Sequence, residues 1–344
     1  MGRVLKAGGA GRWLIPALGI LLVGCWVLGM GLGSVGIPPG EVLRILAAGP
    51  EATGPNADIV WRLRGPRVLM GTVVGAALAT GGATLQGLFR NPLADPYLLG
   101  VSAGAAVGAA LAMIGGAARW AGMAAVPAFA FAGGLLTVWG VWQLSRAGGR
   151  GSTVSLLLAG VAVSAVLSAL LSFLLLVSGH MLDRIVVWLM GNLGGRSWSQ
   201  AGWVAAYGLV GGLVMWRYRR ELDALALGEE AALSLGVEVP VVKRNLLVAA
   251  SLAAAAAVAM TGVIGFVGLM VPHLVRLVAG PGHGRLLPAS ALGGACLLVL
   301  SDTLARCLLP PWEIPVGVIT ALTGGPFFLY LLWRHQRAGW EAKP

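Results

Sequence analysis

Long apolar runs recur along almost the whole chain. A helix needs about 20 mostly apolar residues to cross a membrane. Runs of roughly this length without any Asp, Glu, Lys or Arg occupy residues 13–33, 68–89, 97–118, 120–145, 152–182, 197–216, 245–275, 286–301 and 314–333. This pattern predicts an all-α, polytopic membrane protein, most of which lies in lipid.

One of these runs is too long for a single crossing. With its flanking turns, the run 245–275 extends to about 36 residues, or roughly 54 Å as one helix, against a hydrocarbon core of ~30 Å. The sequence TGVIGFVG at 261–268 places three glycines where the chain would have to reverse. Two antiparallel spans, about 245–262 and 265–280, are therefore predicted. The total becomes about ten transmembrane helices in one membrane domain that covers residues 1–344.

Three polar segments interrupt the apolar pattern, and their charges indicate the orientation. Segments 34–66 and 178–199 are predicted to lie outside, and 217–244 in the cytoplasm. With both termini cytoplasmic, 16 of the 24 Lys and Arg residues lie inside and 8 outside, as the positive-inside rule requires. The predicted location is the inner, or cytoplasmic, cell membrane. Because the rule accounts for the net charge of +11, no nucleic-acid partner is expected.

Glycines spaced four residues apart indicate closely packed helices. Lipid tails are as apolar as the side chains, so burial of apolar surface does not drive helices together in a membrane. Small residues instead let helix backbones approach each other closely. The pairs are Gly71/Gly75, Gly100/Gly104, Gly104/Gly108 and Gly208/Gly212. They predict one compact helical bundle.

The sequence lacks the residues by which a membrane protein could bind a nucleotide or couple transport to protons. No GxxxxGK[ST] motif occurs, so the chain has no P-loop for a nucleotide. A proton-coupled secondary transporter would need carboxylates buried in its spans. The one candidate is Asp302, with Arg306 one turn away as its expected partner.

An intramembrane protease is a second alternative. It would need a serine nucleophile, such as that of GVSAG (100–104), with His273 as its base, but GVSAG is better explained as a glycine-rich helix start. Neither an enzyme activity nor a metal site is expected.

The cytoplasmic sequence LALGEEAALSLGV (225–237) is the acidic exception in this apolar chain. Gly228 is predicted to separate two short helices. Glu229 and Glu230 would begin the second helix, where the helix dipole favours acids, and Gly236 fits a C-terminal cap. A small apolar face, formed by Ala231, Ala232 and Leu235, could seat in a groove on another protein. A solvated connector is the alternative interpretation.

Seen together, these motifs resemble a known family. GEEAALSLG resembles the EAA-type coupling segment of ABC importer permeases, and LALGEEAALSLGV looks like the version found in the FecCD family, which imports iron chelates, haem and cobalamin. The further matching motifs are RGPR (64–67), GAALATGGATLQGLFRNPLADPYLLGVSAGA (75–105), LLLAGVAVS (156–164), WLMGNLGG (188–195), GFVGLMVPHLVRL (265–277) and IPVGVITALTGGPFF (314–328). The resemblance covers roughly residues 13–333.

The resemblance implies a type II ABC importer permease fold and a set of partners. It implies a homodimer embedded in membrane lipid, two copies of a cytoplasmic ABC ATPase and an extracytoplasmic substrate-binding protein. ATP and Mg would bind to the ATPase, and no cofactor to this chain. The implied coupling segment is 221–237, with contact residues Leu225, Leu227, Gly228, Glu229, Glu230, Ala231, Ala232, Leu235 and Gly236.

Two further groups of residues receive roles from the resemblance. Arg64, Arg67 and Arg306 match the arginines that receive glutamates of the binding protein. Asn91, Leu93 and Thr153 match the cytoplasmic gate positions. The translocation path would lie on the dimer axis, where Ser164, Ser168 and Ser172 share one helix face. These serines could equally bond back to their own helix backbone. The transported chelate stays open among an iron–siderophore, haem and cobalamin.

Overall fold

The computed structural model describes residues 10–122, 124–147 and 153–341 of the chain. These residues form helices joined by short turns, and no strand occurs among them. The helices are α1 (Ala10–Gly31), α2 (Pro39–Ala48), α3 (Pro55–Asp58), α4 (Gly65–Leu88), α5 (Val101–Ile114), α6 (Ala117–Ala121), α7 (Ala125–Ala147), α8 (Thr153–Val177), α9 (Leu182–Leu189), α10 (Trp198–Arg217), α11 (Arg219–Leu227), α12 (Glu229–Ser234), α13 (Val239–Thr261), α14 (Val267–Ala279), α15 (His283–Cys307) and α16 (Val316–Glu341). A π-helix spans Ile59–Arg64, and 3-10 helices span Pro96–Leu99 and Gly179–Met181.

Six helical segments within the described residues are long and apolar enough to cross a membrane. They are Trp13–Gly31, Pro55–Leu88, Ala125–Arg146, Thr153–Val177, Val239–Thr261 and His283–Cys307. Shorter apolar helices occupy Val101–Ile114, Val267–Ala279 and Val316–Leu331. The prediction of an all-α, multi-pass membrane protein is confirmed. The six long segments do not by themselves reach the predicted total of ten.

The long apolar run after residue 244 is broken, as predicted. Helix α13 ends at Thr261 and α14 begins at Val267. Gly262 takes a φ of +74°, which favours glycine, and a Cβ there would collide with the carbonyl oxygen of Trp188. The Tyr97 hydroxyl donates to the Ile264 carbonyl oxygen over 2.9 Å. Such hydrogen-bond partners are required because unpaired backbone N–H and C=O groups are not tolerated at membrane depth.

Helix α4 lies at the centre of the bundle. It packs against α10, α13, α14 and α15, and 20 of its 24 residues are buried. Most of these residues are Gly, Ala, Thr and Val, so neighbouring helices can approach from several sides at once. Both ends of α4 therefore carry loops whose positions are fixed by the rest of the bundle.

The spaced glycines make close contacts between helices in three of the four predicted pairs. A Cβ at Gly75 would collide with the Gly294 backbone of α15, and Cβ atoms at Gly104 and Gly108 would collide with the α7 backbone. The prediction for Gly208/Gly212 is wrong. A Cβ at Gly212 would meet nothing within 4 Å, because this face of α10 lines an open groove.

Substituting Gly75 with alanine is expected to destabilise the fold by about 1–3 kcal/mol, because α4 and α15 would have to separate. Thermal unfolding of the purified protein in detergent, followed by the fluorescence of its 13 tryptophans, measures the effect. Gly212→Ala is the matched control, and it should hold or raise the melting temperature because alanine is the better helix former. Equal melting temperatures for the two variants would contradict the close approach at Gly75.

Candidate coupling and gate site

The two-helix form of the predicted coupling segment is confirmed. Helix α11 ends at Leu227, Gly228 has a φ of +127°, and α12 begins at Glu229. Gly236 follows α12 with a φ of +79°. Its N–H donates to the Leu233 carbonyl oxygen over 2.9 Å, and the Val237 N–H donates to that of Ala232 over 3.0 Å. This pair of bonds is a Schellman cap, so both glycines occupy positions where a side chain would be strained.

The apolar face of the segment differs from the prediction. Leu225 and Ala232 are fully buried in the core of this chain, so they anchor the segment and are closed to a partner. Ala231 is half-buried. The side chains that protrude are Leu227, Leu233 and Leu235, which are 74%, 57% and 66% exposed. The exposed apolar surface of the segment is therefore a leucine surface, formed by Leu227, Leu233 and Leu235.

The adjacent acids Glu229 and Glu230 have different surroundings. Glu229 Oε1 accepts from the Nζ of Lys243 over 2.6 Å and from the Oγ1 of Thr153 over 3.4 Å. The same Lys243 ammonium donates to Thr153 Oγ1 over 3.2 Å. Glu230 is exposed. Glu229 therefore contacts a predicted gate residue of its own chain, whereas Glu230 is exposed, as are the leucines of the leucine surface.

No role was predicted for Lys243 from the sequence. One feature sets it apart: the other two lysines of the chain, Lys6 and Lys343, lie near its ends, so Lys243 is the single lysine between them. A single lysine at the start of an apolar helix is compatible with the positive-inside rule alone. Its buried contact with Glu229 requires the structure.

Helix α11 is tied to the bundle by a second polar contact. The carboxylate of Asp223 accepts from the backbone N–H of His283 over 2.9 Å, and its Oδ1 lies 2.7 Å from His283 Nδ1. The His283 ring lies against Gly87 at the end of α4. The amide of Asn245 donates to the Tyr218 hydroxyl over 2.7 Å. The coupling segment is thus attached by side chains to α13 through Glu229 and to α15 through Asp223.

The predicted non-helical turn is confirmed between α4 and the 3-10 helix at Pro96, while its role as a gate stays a prediction. Asn91 Oδ1 accepts from the Leu93 N–H over 2.9 Å, and Asp95 Oδ1 accepts from the Tyr97 N–H over 2.8 Å. Leu93 is exposed and Asn91 is half-buried. The guanidinium of the preceding Arg90 lies beside Gly228. This loop and Thr153, the first residue of α8, therefore both lie next to the coupling segment, the loop at Gly228 and Thr153 at Glu229.

Helix α8 is the least covered of the six long apolar segments, with 11% of its spanning window buried. Ser164 is half-buried and faces Gly100, whereas Ser168 and Ser172 are exposed. Ser172 Oγ donates to the Ser168 carbonyl oxygen over 2.9 Å. One serine of the predicted pathway therefore bonds to its own helix backbone in this structure, which was the alternative prediction.

The three predicted docking arginines are buried in this chain. Arg64, Arg67 and Arg306 are 6%, 8% and 5% exposed. Arg64 Nη1 donates to the carbonyl oxygens of Met30 and Gly31 over 2.7 and 3.0 Å, and its Nη2 donates to that of Val35 over 2.5 Å. A docking role for these residues stays a prediction.

Arg67 and Arg306 share one carboxylate. Arg67 donates to both oxygens of Asp302 at 2.9 Å and to Glu313 Oε2 at 2.7 Å. Arg306 Nε lies 3.2 Å from Asp302 Oδ2, and its Nη2 donates to the Gly29 carbonyl oxygen over 2.9 Å. The predicted pairing of Asp302 with Arg306 is confirmed. Arg67, Asp302 and Arg306 form a buried ion cluster that joins α4 and α15, and the half-exposed Glu313 extends it to the turn before α16.

Comparison with known proteins agrees with this architecture. The chain matches the FecCD transport family over residues 21–334. It is 50% identical over 297 residues to the cobalamin import system permease protein of Halobacterium salinarum, covering 86% of this chain and 79% of that protein. It is 42% identical over 331 residues to the hemin transport system permease protein of Yersinia pestis, covering 94% and 97%.

A solved structure shares the fold. It is a metal-chelate type ABC transporter in an inward-facing conformation, with a TM-score of 0.79 and 32% identity, covering 94% of this chain and 99% of that one. This shared fold and the family match define the chain as a membrane transport permease. The chain belongs to the FecCD transport family and is the permease component of an ABC importer.

Proposed function

We propose that this chain carries a metal chelate into the cytoplasm across the inner cell membrane. The relatives are named for cobalamin, hemin and Fe(3+) dicitrate transport, which supports an iron–siderophore, haem or cobalamin as cargo. The chain acts as a single permease domain with both termini cytoplasmic. Its spans number about ten, the six long apolar segments being joined by α5, α10, α14 and α16.

The energy for transport comes from a separate ATPase, of which two copies bind ATP and Mg. The observation that carries this proposal is the coupling segment, which offers the leucine surface and Glu230 to a partner while Asp223 and Glu229 hold it to the bundle. Grouped exposed apolar side chains on short, firmly attached helices are typical of a protein–protein contact site. A connector needing only solubility would have no use for them.

The functional unit is a homodimer, with the path on its axis. In this arrangement the second copy and lipid cover the apolar residues of α8 that the described chain leaves exposed, such as Leu158, Phe173 and Leu176. Ser164, Ser168 and Ser172 line the path, and Asn91, Leu93 and Thr153 close it at the cytoplasmic end. A substrate-binding protein docks at the other end, on the surface that Arg64 and the buried ion cluster hold in place.

Reconstitution in liposomes tests this function. The chain is purified with its ATPase and binding protein, and uptake of labelled cobalamin, haem and an iron–siderophore is measured with internal or external ATP or with an imposed proton gradient. One chelate should enter only when ATP reaches the ATPase. Uptake driven by the gradient alone would favour a proton-coupled secondary transporter. That alternative lacks support in the ion cluster, where two arginines hold Asp302.

A further inference from the structure

Lys243 lies where three helices meet at the cytoplasmic end of the bundle. It belongs to the first turns of α13, and its ammonium contacts the first residue of α12, Glu229, and the first residue of α8, Thr153. The lysine is 7% exposed. A buried ammonium needs hydrogen-bonding and charged partners, and these two side chains provide them. The neighbouring Arg244 is exposed, so the two adjacent basic residues occupy different environments.

A cavity of about 820 Å³ adjoins this contact. It is bounded by α12, by the end of α7 and by the starts of α8 and α13, and its lining includes Trp142, Leu156, Leu233 and Val239. Helix α12 itself packs on α11 and α13. Beside this cavity, the side chains of Glu229, Lys243 and Thr153 connect α12, α13 and the start of α8.

We infer that Lys243 is a positioning residue that passes movement of the coupling helix α12 to the gate end of α8. When α12 shifts, the Glu229 carboxylate moves with it, and the ammonium follows because a charge-assisted hydrogen bond is short and strong. Thr153, bonded to the same ammonium, is drawn along at the start of α8. The bond between Glu229 and Thr153 is longer, at 3.4 Å, so the lysine makes the stronger connection.

This inference rests on the proposed function, because it names the internal path between the ATPase contact and the gate. It differs from a merely structural role in one observable. A structural lysine would affect the amount of folded protein, whereas a positioning lysine sets how much chelate enters for each ATP hydrolysed. The ratio of uptake to hydrolysis is therefore the quantity to measure.

The test uses the full transporter in liposomes, with chelate uptake and ATP hydrolysis measured on the same vesicles. Lys243→Gln is expected to lower uptake per ATP by about tenfold, on the scale of a lost hydrogen bond to a charged group, while the ATPase stays bound and hydrolyses ATP. Lys243→Arg should retain most of the parent ratio because it keeps the charge and a donor. Arg244→Gln, the exposed neighbour, should leave the ratio unchanged.

A charge exchange makes the test specific. The double variant Glu229→Lys with Lys243→Glu should transport better per ATP than either single variant, because the pair is restored in reverse.

If Lys243→Gln fails to fold, Thr153→Val takes its place, since it removes the hydroxyl at nearly constant shape and should also lower the ratio of uptake to hydrolysis. An unchanged ratio in the folded variant, or a double variant no better than the singles, would overturn the inference. A parent protein without ATP-driven uptake would instead overturn the proposed function.

Discussion

Replacing Asp302 with alanine is expected to lower the free energy of unfolding by about 3–5 kcal/mol, the cost typical of removing one partner from a buried ion pair. The carboxylate is 2% exposed, and it lies between the guanidinium groups of Arg67 and Arg306. Its removal leaves two buried positive charges close together, with Glu313 as the remaining acid of the cluster. Glu313 bonds to Arg67 and is itself half-exposed, so its compensation is partial.

Chemical or thermal unfolding in detergent, followed by tryptophan fluorescence, measures this loss. Adding Arg306→Met to Asp302→Ala should recover part of the stability, because one uncompensated charge is then removed along with its partner. Asp58→Ala is the matched control. Its pair with Arg62 is exposed on both sides, and such pairs contribute little to stability. Similar losses of stability for Asp302→Ala and Asp58→Ala would show that the ion cluster contributes no more to stability than an exposed ion pair does.

The break points of the fold could be predicted because each has a local cause. A charge-free run too long for one crossing, with Gly262 inside it, indicated the end of α13. Gly228 between two helix-forming stretches indicated the boundary of α11 and α12. The lengths of the shorter helices were harder to predict. The run 97–118 yields an α5 of 14 residues, because Pro96 and the left-handed Gly100 place a separate 3-10 turn before it.

Side-chain environments could not be predicted in the same way. The partners of Arg67 lie 235 and 246 positions away in the sequence, and Arg64 bonds to backbone carbonyls, which leave no trace in the residue pattern. Glu229 and Glu230 are chemically identical neighbours, and the path of α12 over α13 alone decides which one meets Lys243. Likewise, a helix of six residues is too short for its apolar pattern to define a face, so the burial of Ala232 was missed.

Reversing the charge at Glu230 is expected to abolish most ATP-driven transport while the fold stays intact. Glu230 is exposed, as are the leucines of the leucine surface, and within the described chain its carboxylate makes no hydrogen bond or ion pair that arginine would break. The direct cost is a positive charge in the first turn of α12, about 0.3–1 kcal/mol. A partner that faces an acid at this point would meet a cation instead. Glu230→Arg should therefore lower uptake by about tenfold or more, equivalent to at least ~1.4 kcal/mol of coupling.

Two controls decide whether that loss belongs to the contact with the ATPase. Glu51→Arg makes the same reversal on an exposed acid in the turn between α2 and α3, in a segment predicted to lie outside, so it should leave ATPase binding and ATP hydrolysis unchanged. Leu233→Asp changes the leucine surface one turn further along α12 and should weaken both ATPase binding and uptake. Since neither Glu230 nor Leu233 is buried, melting temperatures close to the parent value are expected. If Glu230→Arg and Leu233→Asp keep full ATP-driven uptake, residues 221–237 are a solvated connector, and the ATPase must engage the permease elsewhere.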